Sequence, residues 1–237
     1  MFGNEPLTPQ FRAYRARQAW DADAPLDPPP PPETTVEYTA GLDLGKSRDF
    51  SVLCVVERAA GPQKEPTYAV RHLRRWPLGT PYTRVAEEAA KVVYHPDLRL
   101  PRLAVDATGV GQAVVEMVRG ALTQQPGTGP RALLAPVVIA GGHAIRRAPD
   151  GTWHVGKVQL VSVLDAVVRS RRLKIAAGLA HAPTLAGELR AFREKRTDTG
   201  HSKFEALQER LHDDMVLALA LALWLADRVP RGRFEIW

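Results

Sequence analysis

Carboxylates stand at three points of the chain where the surrounding residues are apolar. Asp43, in GLDLGKSRDFS, falls inside a strand-like run at a position where hydrophobic alternation offers it no contact with solvent. Burying a carboxylate is costly unless it is paired or binds a metal. Gly45 follows closely and leaves room for a ligand to approach the backbone. Asp106, in LAVDATGVGQAVVEMV, ends a buried strand just before a glycine-containing turn and a helix. Open α/β sheets present ligand-binding groups at that place. His212, Asp213 and Asp214, in RLHDDMVLALALALWLAD, open a helix that is otherwise almost wholly apolar. Each motif alone has a plain structural reading. Asp43 can cap a turn, Asp106 or Thr108 can cap the next helix, and acids in a first helical turn complement the helix dipole. Gly109 and Gly111 fit neither phosphate-loop nor dinucleotide spacing.

Together the three positions point to chemistry. An acid on a first strand, an acid at the end of the next parallel strand and an acid at the start of a last helix can converge at one rim of a sheet. Carboxylates brought together without matching cations repel one another unless a divalent metal neutralises them. Oxygen ligands favour Mg²⁺ or Mn²⁺. Two such ions, roughly 3.5–4 Å apart, activate a water and stabilise the leaving 3′ oxygen of a phosphodiester. Phosphodiester hydrolysis is the expected reaction.

The elements that must position these acids alternate between strands and helices. VEYTAGLDLG, DFSVLCVVER and TYAVRHLRRW read as three strands of an antiparallel meander, separated by Gly, Pro, Asp and Lys turns. TPYTRVAEEAAKVVYH has helical spacing, with Thr80 available as N-cap and Pro81 at the first helical position. PRLAVDATG is a strand, VGQAVVEMVRGAL a helix and LLAPVVIAGG a further strand. HAIRRAPDGTWHV has the turn residues of a hairpin at Pro149, Asp150 and Gly151. Helices over VGKVQLVSVLDAVVRSRR, APTLAGELRAFREK and the apolar C-terminal run complete the order, with LKI a short extended piece. The expected fold class is α/β, a ribonuclease H-like mixed sheet flanked by helices with an inserted β-hairpin. Residues 1–35, including DADAPLDPPPPPETT, read as an arm and a proline-rich linker, and residues 36–237 as the folded nuclease domain.

Bulk composition sets outer bounds. At 237 residues, with 45% hydrophobic and 24% charged residues, one substantial α/β domain can bury a core without disulfides. Cys54 has no partner and sits in the apolar run SVLCVV, which fits a core residue in a reducing compartment. A net charge of +6 favours a polyanionic partner. No apolar stretch approaches the roughly 20 residues of a membrane span, and the host-cell cytoplasm is the expected location.

GLDLGKSRDFS, LAVDATGVGQAVVE and the stretch from HVGKVQLVSVL to ERLHDDMVLALALALW resemble the C-terminal nuclease domain of phage terminase large subunits. The resemblance runs from about Val36 to Asp227, and its most specific part is the ordered set GKVQLVSVLDAVVRSRRLKIA, LAGELRAFREKRTDTGHSKFEA and HDDMVLALALA. It implies a metal-dependent DNA endonuclease that cuts concatemeric viral DNA during genome packaging. By motif, Asp43 and Asp106 become metal ligands, and the third ligand is Asp213 or Asp214. Asp214 is preferred, because Holliday-junction resolvases carry a similar acid before an Ala-Leu run. Asp213 becomes an additional ligand, and His212 a group that orients a ligand or water. Terminase large subunits usually carry a packaging ATPase ahead of the nuclease. Here an arm and linker precede Asp43 and no GxxxxGK[ST] loop occurs. The partners implied are double-stranded DNA, a separate packaging ATPase, a small terminase subunit and a portal.

Cations for DNA phosphates are available at Arg71, Arg74 and Arg75, at Arg146, Arg147 and Lys157, and at Arg169, Arg171, Arg172 and Lys174. The hairpin group Arg146, Arg147 and Lys157 is expected to touch DNA, by its resemblance to the β-hairpin beside the terminase active site, with Lys46 as a further candidate. No zinc-finger or helix-turn-helix pattern is present, so backbone contacts with little base reading are expected. Three other readings compete. A resolvase-like nuclease on branched DNA shares the metal site and would be separated by oligomeric state and junction preference. A packaging component that binds DNA without catalysis is the second. An actin-like phosphotransferase needs two related domains, for which the chain is too short.

Overall fold

The computed structural model of the protein describes residues 35–45, 49–61, 65–98, 102–124, 133–176, 178–197 and 214–228. The expected arm and linker up to residue 34 lie outside the described residues. The strands are β1 (Thr35–Asp43), β2 (Val52–Ala60), β3 (Thr67–Arg75), β4 (Arg102–Asp106), β5 (Leu133–Ala140), β6 (Ile145–Arg147), β7 (Trp153–Gly156) and β8 (Leu173–Ile175). The helices are α1 (Tyr82–Val93), α2 (Gln112–Thr123), α3 (Lys157–Arg169), α4 (Ala182–Thr197) and α5 (Asp214–Asp227).

All eight strands form one sheet in the order β6-β7-β5-β4-β1-β2-β3-β8. β1, β2 and β3 are the expected antiparallel meander, with a register irregularity at Val55/Val56. β4 then crosses over to lie parallel to β1, and β5 parallel to β4. This is the ribonuclease H-like order. The hairpin forms as the sequence suggests, but it belongs to the sheet. β7 runs parallel to β5, and β6 folds back antiparallel as the edge strand. LKI closes the opposite edge as β8, parallel to β3. One helix start differs from expectation. Pro81 is the N-cap of α1, without a side-chain cap bond, and the Thr80 hydroxyl donates instead to the Pro77 carbonyl at 2.7 Å.

Alternation along the strands divides the core into two layers. Ala40, Leu42, Leu53, Val55, Leu103 and Val105 face α1 and α2. Cys54, Val56, Ala104, Ala135 and Val137 face α3, α4 and α5. Helix α5 is apolar on every side and is correspondingly buried throughout its middle. Its leucines Leu219, Leu221 and Leu223 are fully buried, each contributing about 1.5–3 kcal/mol relative to exposure.

α5 meets β1 at backbone contact distance. A Cβ on Gly41 would overlap the Ala218 carbonyl oxygen and stand 2.7 Å from the Ala222 nitrogen. Two residues earlier, the Thr39 hydroxyl donates to the Ala222 carbonyl at 2.9 Å. Two strand residues advance about 6.6 Å and four helix residues about 6 Å. Thr39 and Gly41 therefore keep step with Ala222 and Ala218 along oppositely directed elements. One step further, Asp43 comes level with Asp214.

Alanine replacing a strand glycine ordinarily favours the strand. At this contact the sign reverses, and Gly41→Ala is expected to destabilise the protein by about 1–3 kcal/mol through overpacking. Urea unfolding checks this. A midpoint equal to or above wild type would mean that α5 does not lie against Gly41 as described.

Candidate active site

Asp43 ends β1 and Asp106 ends β4. The two strands are parallel neighbours, and their last paired residues are Leu42 and Val105. The acids are therefore the next residues in register, on the face that carries Gly41 and Ala104. Asp214 is the first residue of α5. All three are almost fully buried, at 8%, 9% and 9% exposure. The structure thus gathers Asp43, Asp106 and Asp214 at the rim formed by the carboxyl ends of the central strands.

Local bonds hold Asp106 and Asp214. The Thr108 amide donates to Asp106 Oδ1 at 2.7 Å, and the Thr108 hydroxyl accepts from the Ile139 amide at 2.8 Å. Asp106 therefore closes a tight turn and does not cap the next helix, whose N-cap is Gly111. The Phe50 amide donates to Asp214 Oδ2 at 3.1 Å, tying the return from β1 to β2 onto α5. Arg75 stacks over the Phe50 ring at 3.5 Å.

Asp43 lies in the field of the other two acids. Burial pushes the Asp43 carboxyl well above the usual carboxylate range, and Asp106, Asp214 and Asp49 push it further, against the lowering effect of the Leu44 backbone amide. Burial also raises Asp106, which its bonds from Thr108 partly offset. Among the described residues, no set of three His, Cys, Asp or Glu side chains forms a ready-made cage for a metal ion. The donor set fits a hard divalent cation in chemistry: oxygen ligands alone, buried and mutually repelling.

No family model matches the chain, and no curated protein matches it. Among solved structures it is similar to the human cytomegalovirus terminase nuclease domain, with 17% identity and a TM-score of 0.47 over 81% of this chain and 85% of that one. A Mn-soaked form of the same domain gives 17% identity and a TM-score of 0.45 over 80% and 83%.

Other residues singled out from the sequence fall in different places. His212, Asp213 and Lys46 lie outside the described residues. Lys157 opens α3 and lines a pocket of about 310 Å³ with Asp106, Thr108 and Gly141. Burial lowers its ammonium below the ordinary lysine range. Arg146 and Arg147 are exposed on β6 and are not brought to the carboxylates. Arg147 pairs with Trp153 at the start of β7 and lies over its ring at 5.4 Å. Trp153 in turn packs edge-on against Trp224 at 5.6 Å. Trp224 lies about 15 Å along α5 from Asp214, at 1.5 Å per residue. Arg71 forms a two-pronged bond to buried Glu57, Arg74 pairs with Glu88, and Arg169 pairs with Asp165. These arginines are engaged in ion pairs within the protein. Arg172 bonds Glu65, the Pro66 carbonyl and Ser170, while Arg171 and Lys174 are exposed at the far edge.

Two residues near Asp43 escape a sequence reading. Asp49 adds to the negative field around Asp43. Tyr82 lies close enough that Asp43, after burial, raises its phenol. The acid in SRDFS was visible six residues beyond Asp43, but only the return of the chain brings it near. Nothing in the helical pattern of residues 82–93 marks Tyr82.

Because the folded-state pKa of Asp43 is raised, the native protein holds this proton more tightly than the unfolded chain. Stability from this group is present at low pH and is lost as pH rises above the ordinary carboxylate value. Asp43→Asn removes the penalty. In EDTA at pH 8, this variant is expected to melt above wild type, by about 2–4 °C per kcal/mol relieved. The gap should close as pH approaches 4, and a scanning melt series that finds no gap at pH 8 would contradict the crowding of the three acids.

Proposed function

We propose that this chain is a divalent-metal-dependent endodeoxyribonuclease of the terminase nuclease kind, cutting concatemeric double-stranded DNA during genome packaging. The observation that carries this reading is the gathering of Asp43, Asp106 and Asp214 at one rim, with Asp43 in the field of the other two. The motif order in the sequence supplies the packaging context. Among the described residues, no helix is long and apolar enough to cross a membrane.

Asp43, Asp106 and Asp214, with neighbouring Asp213, are the residues that would hold Mg²⁺ or Mn²⁺. A bound pair of such ions supplies an activated water and charge stabilisation for the leaving 3′ oxygen. The protein's own contribution is positional. Thr108 fixes the Asp106 carboxylate, and the Phe50 amide fixes Asp214. Lys157, in the Asp106 pocket, offers a cation to a backbone phosphate. Double-stranded DNA is the substrate this reading requires. On this reading, ATP-driven translocation belongs to a packaging ATPase acting with a small subunit and portal in the host cytoplasm.

Plasmid cleavage with Mn²⁺, Mg²⁺ or EDTA tests the reading. Nicking and linearisation are expected with metal and not with EDTA. Asp43→Asn, Asp106→Asn and Asp214→Asn should each lower the rate by about 100-fold or more, as expected for a transition-state interaction. Wild-type protein that binds DNA yet cleaves with neither metal would replace the nuclease by a DNA-binding packaging component. Activity retained in Asp214→Asn and lost in Asp213→Asn would move the third ligand by one residue.

A further inference from the structure

A second pocket, of about 230 Å³, is lined by residues just beyond the ends of β1 and β3, which lie level across β2. It includes Tyr82, in the field of Asp43. Its walls come from two segments distant in sequence. Gly45, Asp49 and Ser51 belong to the return from β1 to β2, and Pro77, Thr80 and Tyr82 to the turn from β3 into α1. The turn is rigidly built. Both the amide and the hydroxyl of Thr80 donate to the Pro77 carbonyl, at 3.2 and 2.7 Å. The Trp76 amide donates to the Ser51 carbonyl at 3.0 Å, joining the two walls at their base. Trp76 itself is buried, and its indole N–H bonds Glu88 at 2.7 Å. Leu78 stands 49% exposed on the same turn.

The two pockets differ in character. The Asp106 pocket contains a lysine, and the second contains the carboxylate of Asp49. Its remaining lining is a phenol ring, prolines, glycines and hydroxyls. A phosphate is disfavoured next to Asp49, whereas flat apolar walls with hydroxyl edges suit a sugar or base. A DNA strand crossing the acids alternates the same two chemistries.

Resting on the nuclease reading above, we propose that the Tyr82 pocket is a nucleoside subsite. It takes the deoxyribose and base next to the phosphate being cut, while the Lys157 side takes phosphate. Tyr82 supplies the contact surface, the doubly bonded turn holds it in place, and Leu78 lies against the duplex beside it.

Affinity measured without metal separates this proposal from catalysis. A labelled duplex of about 30 base pairs is titrated in EDTA at several salt concentrations, by fluorescence anisotropy. Tyr82→Ala and Leu78→Glu should each weaken binding, Tyr82→Ala by about 5-fold with no loss of salt dependence, since no phosphate contact is removed. Lys157→Ala should lower the slope of log affinity against log salt by about one. Tyr82→Phe, which keeps the ring, should bind like wild type. Leu78 is an exposed turn residue, so its substitution tests the surface even if Tyr82→Ala fails to fold. Wild-type affinity in both Leu78→Glu and a folded Tyr82→Ala would overturn the proposal, as would a Tyr82→Ala whose salt slope falls like that of Lys157→Ala. A wild-type protein that neither binds nor cuts DNA would instead remove the nuclease reading on which it rests.

Discussion

Between Gly41 and Ala218 there is no room for a side chain, and the placement of the acids follows from that contact. A helix separated from the sheet by ordinary side chains has freedom to slide and tilt. Here the backbone of α5 lies against the backbone of β1, and the Thr39 hydroxyl bonds the helix one step away. The matched advance of two strand residues and four helix residues then fixes Asp214 opposite Asp43. The apolar body of α5 supplies the stabilisation that holds this approach, because its leucines are buried against both β1 and its neighbours.

That rigidity is needed because the site opposes the fold. Buried carboxylates close to one another are unfavourable as ions, and burial together with its acidic neighbours raises the Asp43 carboxyl well above the usual range. A site of this kind persists only when its surroundings over-determine it. The tight turn at Asp106–Thr108, bonded in turn to β5, and the Phe50 amide on Asp214 are such constraints.

Charge elsewhere on the protein is divided between folding and surface. Glu57 is buried, and Arg71 and Tyr38 both bond it, so this part of the basic count neutralises a buried acid. Arg147 and Arg228 both lie over Trp153, and Arg228 also over Trp224, at the end of α5 far from Asp214. Lys157 is different because the chain enters α3 directly from the carboxyl end of β7, beside the exit of β4. Position in the sheet separates it from the arginines with which it is grouped in sequence.

Local pattern determined much of this protein. Alternation and turn residues located the strands of the meander, the apolar run of α5 required a buried helix, and buried Asp43 and Asp106 stood out against their surroundings. The helix start at α1 was misplaced by one residue, because Thr80 had a nearer acceptor in Pro77 than the helix amides. Long-range geometry lay beyond the sequence. That Gly41 is the point of closest approach depends on a helix more than 170 residues away. That Asp49 and Tyr82 belong beside Asp43, and that Arg147 does not, depends on where strands end in the sheet. Periodicity reports which face of an element a residue occupies; only packing decides which elements meet, and at which end.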